Sequence, residues 1–140
     1  MTQINTDKIL INTDTDSKKE YKHKELTGKI LKLAFEVHNL LGCGFLEKVY
    51  ERALLYELKN AGLKTETQKA IRILYKQQDV GTYIADIIVE GKVVIELKVA
   101  EFLATIHKAQ VLNYLRATSY EVALILNFAK PRLEYKRVVN

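Results

Sequence analysis

The fold is decided by the stretch Tyr83-Ile-Ala-Asp-Ile-Ile-Val-Glu-Gly-Lys-Val-Val-Ile-Glu-Leu-Lys98, in which two β-rich segments meet at a glycine-containing turn. β-Branched residues dominate both segments, and such residues favour strands. The stretch therefore predicts a β-hairpin. Within its two strands it also carries three charged side chains, Asp86, Glu96 and Lys98.

Alternation of side chains along a strand predicts which residues share a face. Successive side chains point to opposite faces of a sheet, so every second residue lies on one face. The predicted shared faces are Ile84, Asp86 and Ile88 on the first strand, and Val94, Glu96 and Lys98 on the second.

The length of the turn sets which side chains lie opposite one another. A three-residue loop at positions 90–92 pairs Val89 with Val93 and therefore places Asp86 beside Glu96. A two-residue loop would shift the pairing by one residue and turn Glu96 to the other face. In the first register two like charges lie side by side, which indicates either a raised pKa or a cation that both carboxylates share.

The second strand is predicted to be central in its sheet. Residues 93–99 form a nearly continuous apolar run, which is typical of a strand covered on both faces. Charged residues are rare in such a strand unless they are paired or bind metal. The alternative is a solvated face, since an acid and a lysine two positions apart most often lie on one.

Composition sets wide limits on function. The chain has 140 residues, of which 48% are hydrophobic and 28% charged, and this predicts one domain with a single core. The net charge of +5 is compatible with a polyanionic partner. Cys43 is the one cysteine, so this chain alone builds neither an intramolecular disulfide nor a four-cysteine metal site. We find no predicted membrane span or signal peptide and expect a cytoplasmic protein without a membrane partner.

Hydrophobic periodicity predicts the order of the elements. Residues 1–24 are predicted to be a flexible N-terminal tail, and residues 25–140 a single domain. The predicted helices are 25–41, 46–61 and 103–118; the predicted strands are 69–75, the two strands of the hairpin, 122–127 and 133–138, with a turn at 77–79. This order predicts a mixed β-sheet flanked by helices, an α/β or α+β fold.

Two helical positions add candidate functional side chains. His107, Gln110 and Tyr114 are spaced three and four residues apart, so they project from one stripe of the third helix, where an amide and a hydroxyl group suit a phosphate ligand. The alternative is a polar helix flank. Glu47 lies one turn before Glu51 in the second helix, where an acid often only complements the helix dipole.

Three separated segments resemble the GxxExxY family, which is similar to the PD-(D/E)XK nuclease superfamily. The matching segments are Gly44-Phe-Leu-Glu47-Lys-Val-Tyr50, Ala85-Asp86 with Ile95-Glu96-Leu97-Lys98, and Gln110-Val-Leu-Asn-Tyr114. The resemblance covers residues 25–140 and implies a restriction-endonuclease-like fold. Two positions depart from the pattern, because Ala85 and Cys43 stand where the superfamily and the family, respectively, often have proline.

The resemblance also implies a metal site and a set of catalytic residues. Asp86 and Glu96 would hold Mg²⁺ or Mn²⁺ with the backbone carbonyl of Leu97, and Glu47 would be a further ligand. Lys98 would act beside them. Gln110 and Tyr114 match the Gln-xxx-Tyr helix motif of the exonuclease-type branch.

The function implied is hydrolysis of phosphodiester bonds in nucleic acid, with DNA as the expected substrate. The alternative hypothesis is a nucleic-acid-binding or protein-interaction module without catalytic turnover. A third hypothesis is a protein that binds no nucleic acid and whose charges form only a solvated surface. Residues 130–137 include four basic side chains that could track a phosphate backbone or keep an edge strand soluble. The sequence does not distinguish DNA from RNA, single from double strands, or endonuclease from exonuclease activity. The oligomeric state is also open, and a homodimer is one of the alternatives.

Overall fold

The computed structural model describes residues 22–140, so the predicted tail lies outside the described residues except for its last three positions. None of the helices in this part of the chain combines the length and the apolar content needed to cross a membrane. In chain order the elements are α1 (Lys24–Leu41), α2 (Glu47–Asn60), β1 (Thr65–Tyr75), β2 (Gln78–Val89), β3 (Val93–Lys98), α3 (Thr105–Arg116), β4 (Val122–Asn127) and β5 (Glu134–Val139).

The strands form one five-stranded mixed sheet in the order β1-β2-β3-β4-β5. All neighbouring strands are antiparallel except β3 and β4, which are parallel. A parallel pair needs a crossover connection, and α3 lies within that connection. The sheet has helices on both faces, which confirms the fold predicted from the order of the elements.

The hairpin of β2 and β3 has the three-residue loop. Val89 pairs with Val93, and Ile87 pairs with Ile95. The loop closes through Glu90 and Gly91, whose φ angles of 54° and 63° are both left-handed. This register is the one that places Asp86 beside Glu96.

Burial of β3 on both faces confirms that it is the central strand. On one face Ile95 and Leu97 belong to an apolar cluster that includes residues of α1 and α2. On the other face Val94 belongs to a second cluster that includes Val111 and Leu115 of α3. All residues from Val93 to Leu97 are buried, including Glu96.

The first hairpin differs from the predicted one at its turn. Tyr75 pairs with Gln78, so the turn consists of Lys76 and Gln77 rather than residues 77–79. Both turn residues have positive φ, 48° and 66°, as a two-residue hairpin loop of type I′ requires. Glycine, asparagine or aspartate usually marks such a turn, and their absence at these two positions explains why the sequence pattern misplaced it.

The predicted alternation along β2 is wrong around Asp86. Ile88 lies in the same buried cluster as Tyr83 and Ala85, whereas Ile84 is 46% exposed. Ile84 and Ile88 therefore do not share a face. A local irregularity in a strand changes the direction of its side chains, and simple alternation cannot detect it.

Tyr50 fixes the loop that precedes α2. Its buried hydroxyl donates to the carbonyl oxygen of Gly42 at 2.6 Å and accepts from the backbone N–H of Phe45 at 3.3 Å. Its ring stacks on Phe128, with 4.6 Å between the ring centroids. The tyrosine of the Gly-Phe-Leu-Glu-Lys-Val-Tyr segment thus holds the loop from which Glu47 begins the helix.

The last strand is tied to the start of α1. Arg137 of β5 donates to the hydroxyl of Thr27 at 2.9 Å and to the backbone carbonyl of Lys22. The ammonium group of Lys22 forms an ion pair with Glu121, just before β4, at 2.5 Å. Lys22 falls within the predicted tail, and these contacts place it against the sheet.

We expect Tyr50→Phe to lower the free energy of unfolding by about 1–3 kcal/mol, because it leaves the partly buried carbonyl oxygen of Gly42 without its donor. Urea denaturation followed by circular dichroism measures this change. Tyr56→Phe is the matched control, since Tyr56 lies on the same helix and is 63% exposed. Equal stability of the two variants would contradict the role given to the Tyr50 hydroxyl.

Candidate active site

A cavity of about 360 Å³ lies between the start of α2 and the middle of the sheet. Polar groups face it from α2, β1 and β2, and Leu97 lines it from β3. Its lining residues are Leu46, Glu47, Lys48, Glu51, Gln68, Asp86 and Leu97. The cavity brings Glu47 of the second helix and Asp86 of the hairpin to one place, whereas Glu96 and Lys98 do not line it.

Asp86 lies where the pairing of β2 with β3 ends. The last paired residues are Ile87 and Ile95, and one residue further the Asp86 carboxylate accepts a hydrogen bond from the Leu97 N–H at 2.8 Å. The side chain thus satisfies a backbone donor of β3. Burial raises the pKa of Asp86 above its ordinary value and the charge of Glu51 adds to this, while hydrogen bonds from Leu97 and Gln68 oppose the rise.

Glu96 is the more buried acid of the hairpin, with 9% of its surface exposed. The Tyr83 hydroxyl donates a hydrogen bond to its carboxylate. Burial raises the pKa of Glu96 to about 7, because the charged form is poorly solvated there, and the charges of Asp86 and Glu47 act in the same direction. The hydrogen bond from Tyr83 favours the charged form and limits the rise.

Glu47 lies in the first turn of α2 at the rim of the cavity. Although the residue is open to solvent on one side, the surrounding atoms desolvate its carboxyl group and raise its pKa. The charge of Asp86, which lines the same cavity, raises this pKa further. Glu47 therefore belongs to the same electrostatic group as the hairpin acids.

Lys98 is the cation common to the three acids. Its charge lowers the pKa of Glu47, Asp86 and Glu96 alike. The half-buried side chain of Lys98 makes no direct ion pair with another residue of the 22–140 segment. One lysine does not neutralise three carboxylates, so the group attracts a further cation when all three are ionised.

The acids do not form a closed cage of side-chain ligands. Among residues 22–140 no group of three or more His, Cys, Asp or Glu side chains is arranged to hold an ion by itself. The available donors are carboxylate oxygens and the backbone of β3. Such a donor set suits a hard cation that keeps several water molecules.

Glu51 and Gln68 contribute to the site, although the sequence did not identify them as functional residues. Glu51 is 8% exposed and accepts hydrogen bonds from Lys48 and Gln68, each at 2.7 Å. Its spacing of one helical turn from Glu47 was the available signal. Gln68 has a positive φ of 50° opposite Asp86, where the pairing of β1 with β2 is interrupted, and no pattern in the sequence indicates this.

Of the predicted residues of α3, Tyr114 contacts a residue that is bound to Glu96, whereas Gln110 does not. Tyr114 stacks on Tyr83 with 3.9 Å between the ring centroids, and Tyr83 in turn donates to Glu96. Tyr114 thus reaches the site through Tyr83. Gln110 is exposed one turn earlier on the helix, and its side chain has no hydrogen-bond partner among residues 22–140.

Two histidines on the helices, His38 and His107, have structural contacts. The Nδ1 atom of His107 accepts a hydrogen bond from the backbone N–H of Ala104 at 3.3 Å and so caps the start of α3. The buried ring of His38 stacks on Phe128, and its Nε2 lies 2.7 Å from the carbonyl oxygen of Lys130. These contacts agree with the packing role that an isolated helical histidine most often has.

This chain is similar to a protein family and to a solved structure. A family model described as the PD-(D/E)XK nuclease superfamily matches residues 24–138. A solved structure titled "Crystal structure of SSO0001" is similar at 25% identity with a TM-score of 0.49, over 67% of this chain and 50% of that protein. This chain therefore spans about half the length of that solved protein. No curated protein matches this chain significantly.

We expect Glu96→Gln to stabilise the metal-free protein by about 2–3 kcal/mol at pH 8, because the folded state then no longer holds a poorly solvated carboxylate. The pKa of Glu96 is raised from 4.5 to about 7, so the folded state binds more protons than the unfolded state between these values. Wild-type stability therefore falls as pH rises from 4.5 to 7, and the difference between variant and wild type shrinks below pH 5.

Urea denaturation in EDTA at pH 5 and pH 8 measures these differences. Glu66→Gln is the control, because Glu66 is an exposed acid of β1. A Glu96→Gln variant that is equally stabilised at both pH values would contradict the raised pKa.

Proposed function

This chain belongs to the PD-(D/E)XK nuclease superfamily, and from that membership we propose that it is a metal-dependent nuclease of the GxxExxY type that hydrolyses phosphodiester bonds in DNA. The five-stranded mixed sheet flanked by helices is the restriction-endonuclease-like fold. The observation that carries the proposal is the convergence of Asp86, Glu96 and Lys98 where the pairing of β2 with β3 ends. Residues 25–140 would act as one catalytic domain.

The donor set of the site fits Mg²⁺ or Mn²⁺. These ions prefer oxygen ligands, and Mg²⁺ is usually held by one or two carboxylates with water completing its shell, so a cage of three acids is not required. Asp86 and Glu96 would hold the ion with the backbone carbonyl of Leu97, and Glu47 would be a further ligand. The raised pKa values of the three acids support this assignment, because a cation would relieve the cost of ionising them together. When bound, such an ion activates water and neutralises charge on the phosphoryl group.

The remaining residues would bind and orient the reacting groups. Lys98 would place its ammonium group beside the attacked phosphate, where it stabilises the growing negative charge. Tyr83 holds the carboxylate of Glu96, and Tyr114 supports the ring of Tyr83 by stacking. Gln110 carries an exposed amide one turn from Tyr114, which suits a hydrogen bond to a phosphate oxygen of the substrate.

We expect Glu96→Gln and Lys98→Ala each to lower the rate of DNA cleavage by ~10²–10³, because each change removes one electrostatic contribution to the transition state. The measurement uses labelled single-stranded, double-stranded and branched DNA and RNA in Mg²⁺, Mn²⁺ or EDTA. Glu36→Gln on the exposed face of α1 is a control that makes the same chemical change far from the cavity in sequence.

Two outcomes would overturn the proposal. Full activity of Glu96→Gln or Lys98→Ala would exclude these residues from the chemistry. An absence of cleavage, with wild type and Glu96→Gln binding nucleic acid equally well, would instead assign the fold to a binding module without turnover.

A further inference from the structure

A stripe of basic and aromatic side chains runs along the outer face of α2. Lys48, Arg52, Tyr56 and Lys59 follow one another at intervals of four, four and three residues. At 100° per residue they fall within an arc of about 80°. The opposite face of the helix is packed into the core through Tyr50, Leu54 and Leu58. The stripe contains no acidic residue, and Tyr56 is 63% exposed.

The stripe extends from the candidate active-site cavity lined by Glu47 and Asp86, here called the active cavity, to a second basic region. Lys48 lines the active cavity at the start of α2. Lys59 lines another cavity, of about 650 Å³, together with Lys64. An adjoining cavity is lined by Lys29 and Lys92 and shares Leu63 and Glu90 with it. Three acids, Glu25, Glu66 and Glu90, also line these two cavities, but they face five lysines, so the far end of the helix keeps a net positive charge.

The charges beyond Lys48 are available to a partner. Arg52, Lys59, Lys64 and Lys92 are all exposed, and none forms an ion pair with a residue in the described part of the chain. Clustered like charges repel one another, and a bound polyanion removes this repulsion.

The basic residues of the opposite sheet edge are more engaged within the protein. Lys130 forms an ion pair with Glu134 at 3.5 Å, and Arg137 donates to Thr27. These two contacts involve two of the four basic residues at 130–137. Arg132 and Lys136 stay exposed there, at a distance of four strands from β1.

We propose that the stripe on α2 binds the phosphate backbone of the nucleic-acid strand that enters the active cavity. The inference rests on the proposed nuclease function and adds the path of its substrate. Eleven residues separate Lys48 from Lys59, which is ~16 Å along the helix axis. At ~3.4 Å per nucleotide, this length corresponds to about five nucleotides beyond the active cavity. Tyr56 lies between the two cationic ends, where its exposed ring can stack on a base.

The test compares two double variants with the same change in charge. Arg52→Gln/Lys59→Gln removes two charges of the stripe, and Arg132→Gln/Lys136→Gln removes two exposed charges of the other edge. Binding of a fluorescein-labelled 20-nucleotide single strand is measured by anisotropy in EDTA at several salt concentrations. We expect the stripe variant to bind at least about fivefold more weakly at low salt, and its salt slope to fall by about 1.4. The control keeps the wild-type slope.

Oligonucleotide length provides a second criterion. A 4-nucleotide strand bound at the cavity reaches Arg52 but not Lys59, so the stripe variant should lose less affinity for it than for the 20-nucleotide strand. Equal losses for the two variants on the 20-nucleotide strand would overturn the proposal. Wild-type affinity of the stripe variant would also overturn it, as would an equal disadvantage on both strand lengths.

Failure of the nuclease proposal has a different signature. Wild-type hydrolysis of bis(p-nitrophenyl) phosphate in Mn²⁺ reports on the acids and Lys98 without a long substrate. If the wild type cleaves neither this ester nor DNA, and the stripe variant still shows its loss of binding, the nuclease proposal fails and the binding surface stands.

Discussion

The structure depends on one constraint, which is that β3 must be buried on both faces and yet carry charged side chains at one end. Its apolar residues join the clusters beneath α1 and α2 on one side and α3 on the other. Burial of Glu96 in such a strand is unfavourable unless its carboxylate is satisfied, and Tyr83 supplies the donor. The chain interrupts its own pairing at the same level, where Asp86 takes the Leu97 N–H. The candidate site therefore forms where the regular pairing of β2 with β3 ends.

Much of the fold follows from patterns that act over short distances. The three-residue loop sets the register of β2 against β3, and the apolar run at 93–99 places β3 at the centre. Boundaries of the helices were predicted within about two residues, since helical periodicity and glycines mark them. The turn at Lys76 and Gln77 was misplaced because its residues lack the usual composition of a two-residue loop. The parallel pairing of β3 with β4 depends on tertiary packing, which no local sequence pattern encodes.

The sequence predicted the site residues whose chemical type and spacing both point to a metal site. It did not predict those that depend on the irregular backbone of β1 and β2. Asp86 and Glu96 were expected to be neighbours only in the three-residue register, which is the one of the two alternatives that the hairpin adopts. Glu51 was overlooked because an acid on a helix usually faces solvent, and its burial arises only when α2 packs over Gln68. The irregularity at Asp86 turns its neighbours away from simple alternation. Such distortions are common at functional sites because they redirect side chains, and for that reason they escape periodic rules.

The bond of Arg137 to Thr27 and to the Lys22 carbonyl has a consequence for synthesis of the protein. A chain grows from its N-terminus at roughly 5–20 residues per second, so α1 leaves the ribosome several seconds before β5. The first turn of α1 lacks this partner throughout that interval, and the β3–β4 pair also waits for β4. The nascent chain thus passes through a stage at which helices and the first hairpins are present but the sheet still has an open edge. Until β5 is translated, that edge is β4, whose residues are all buried in the finished protein.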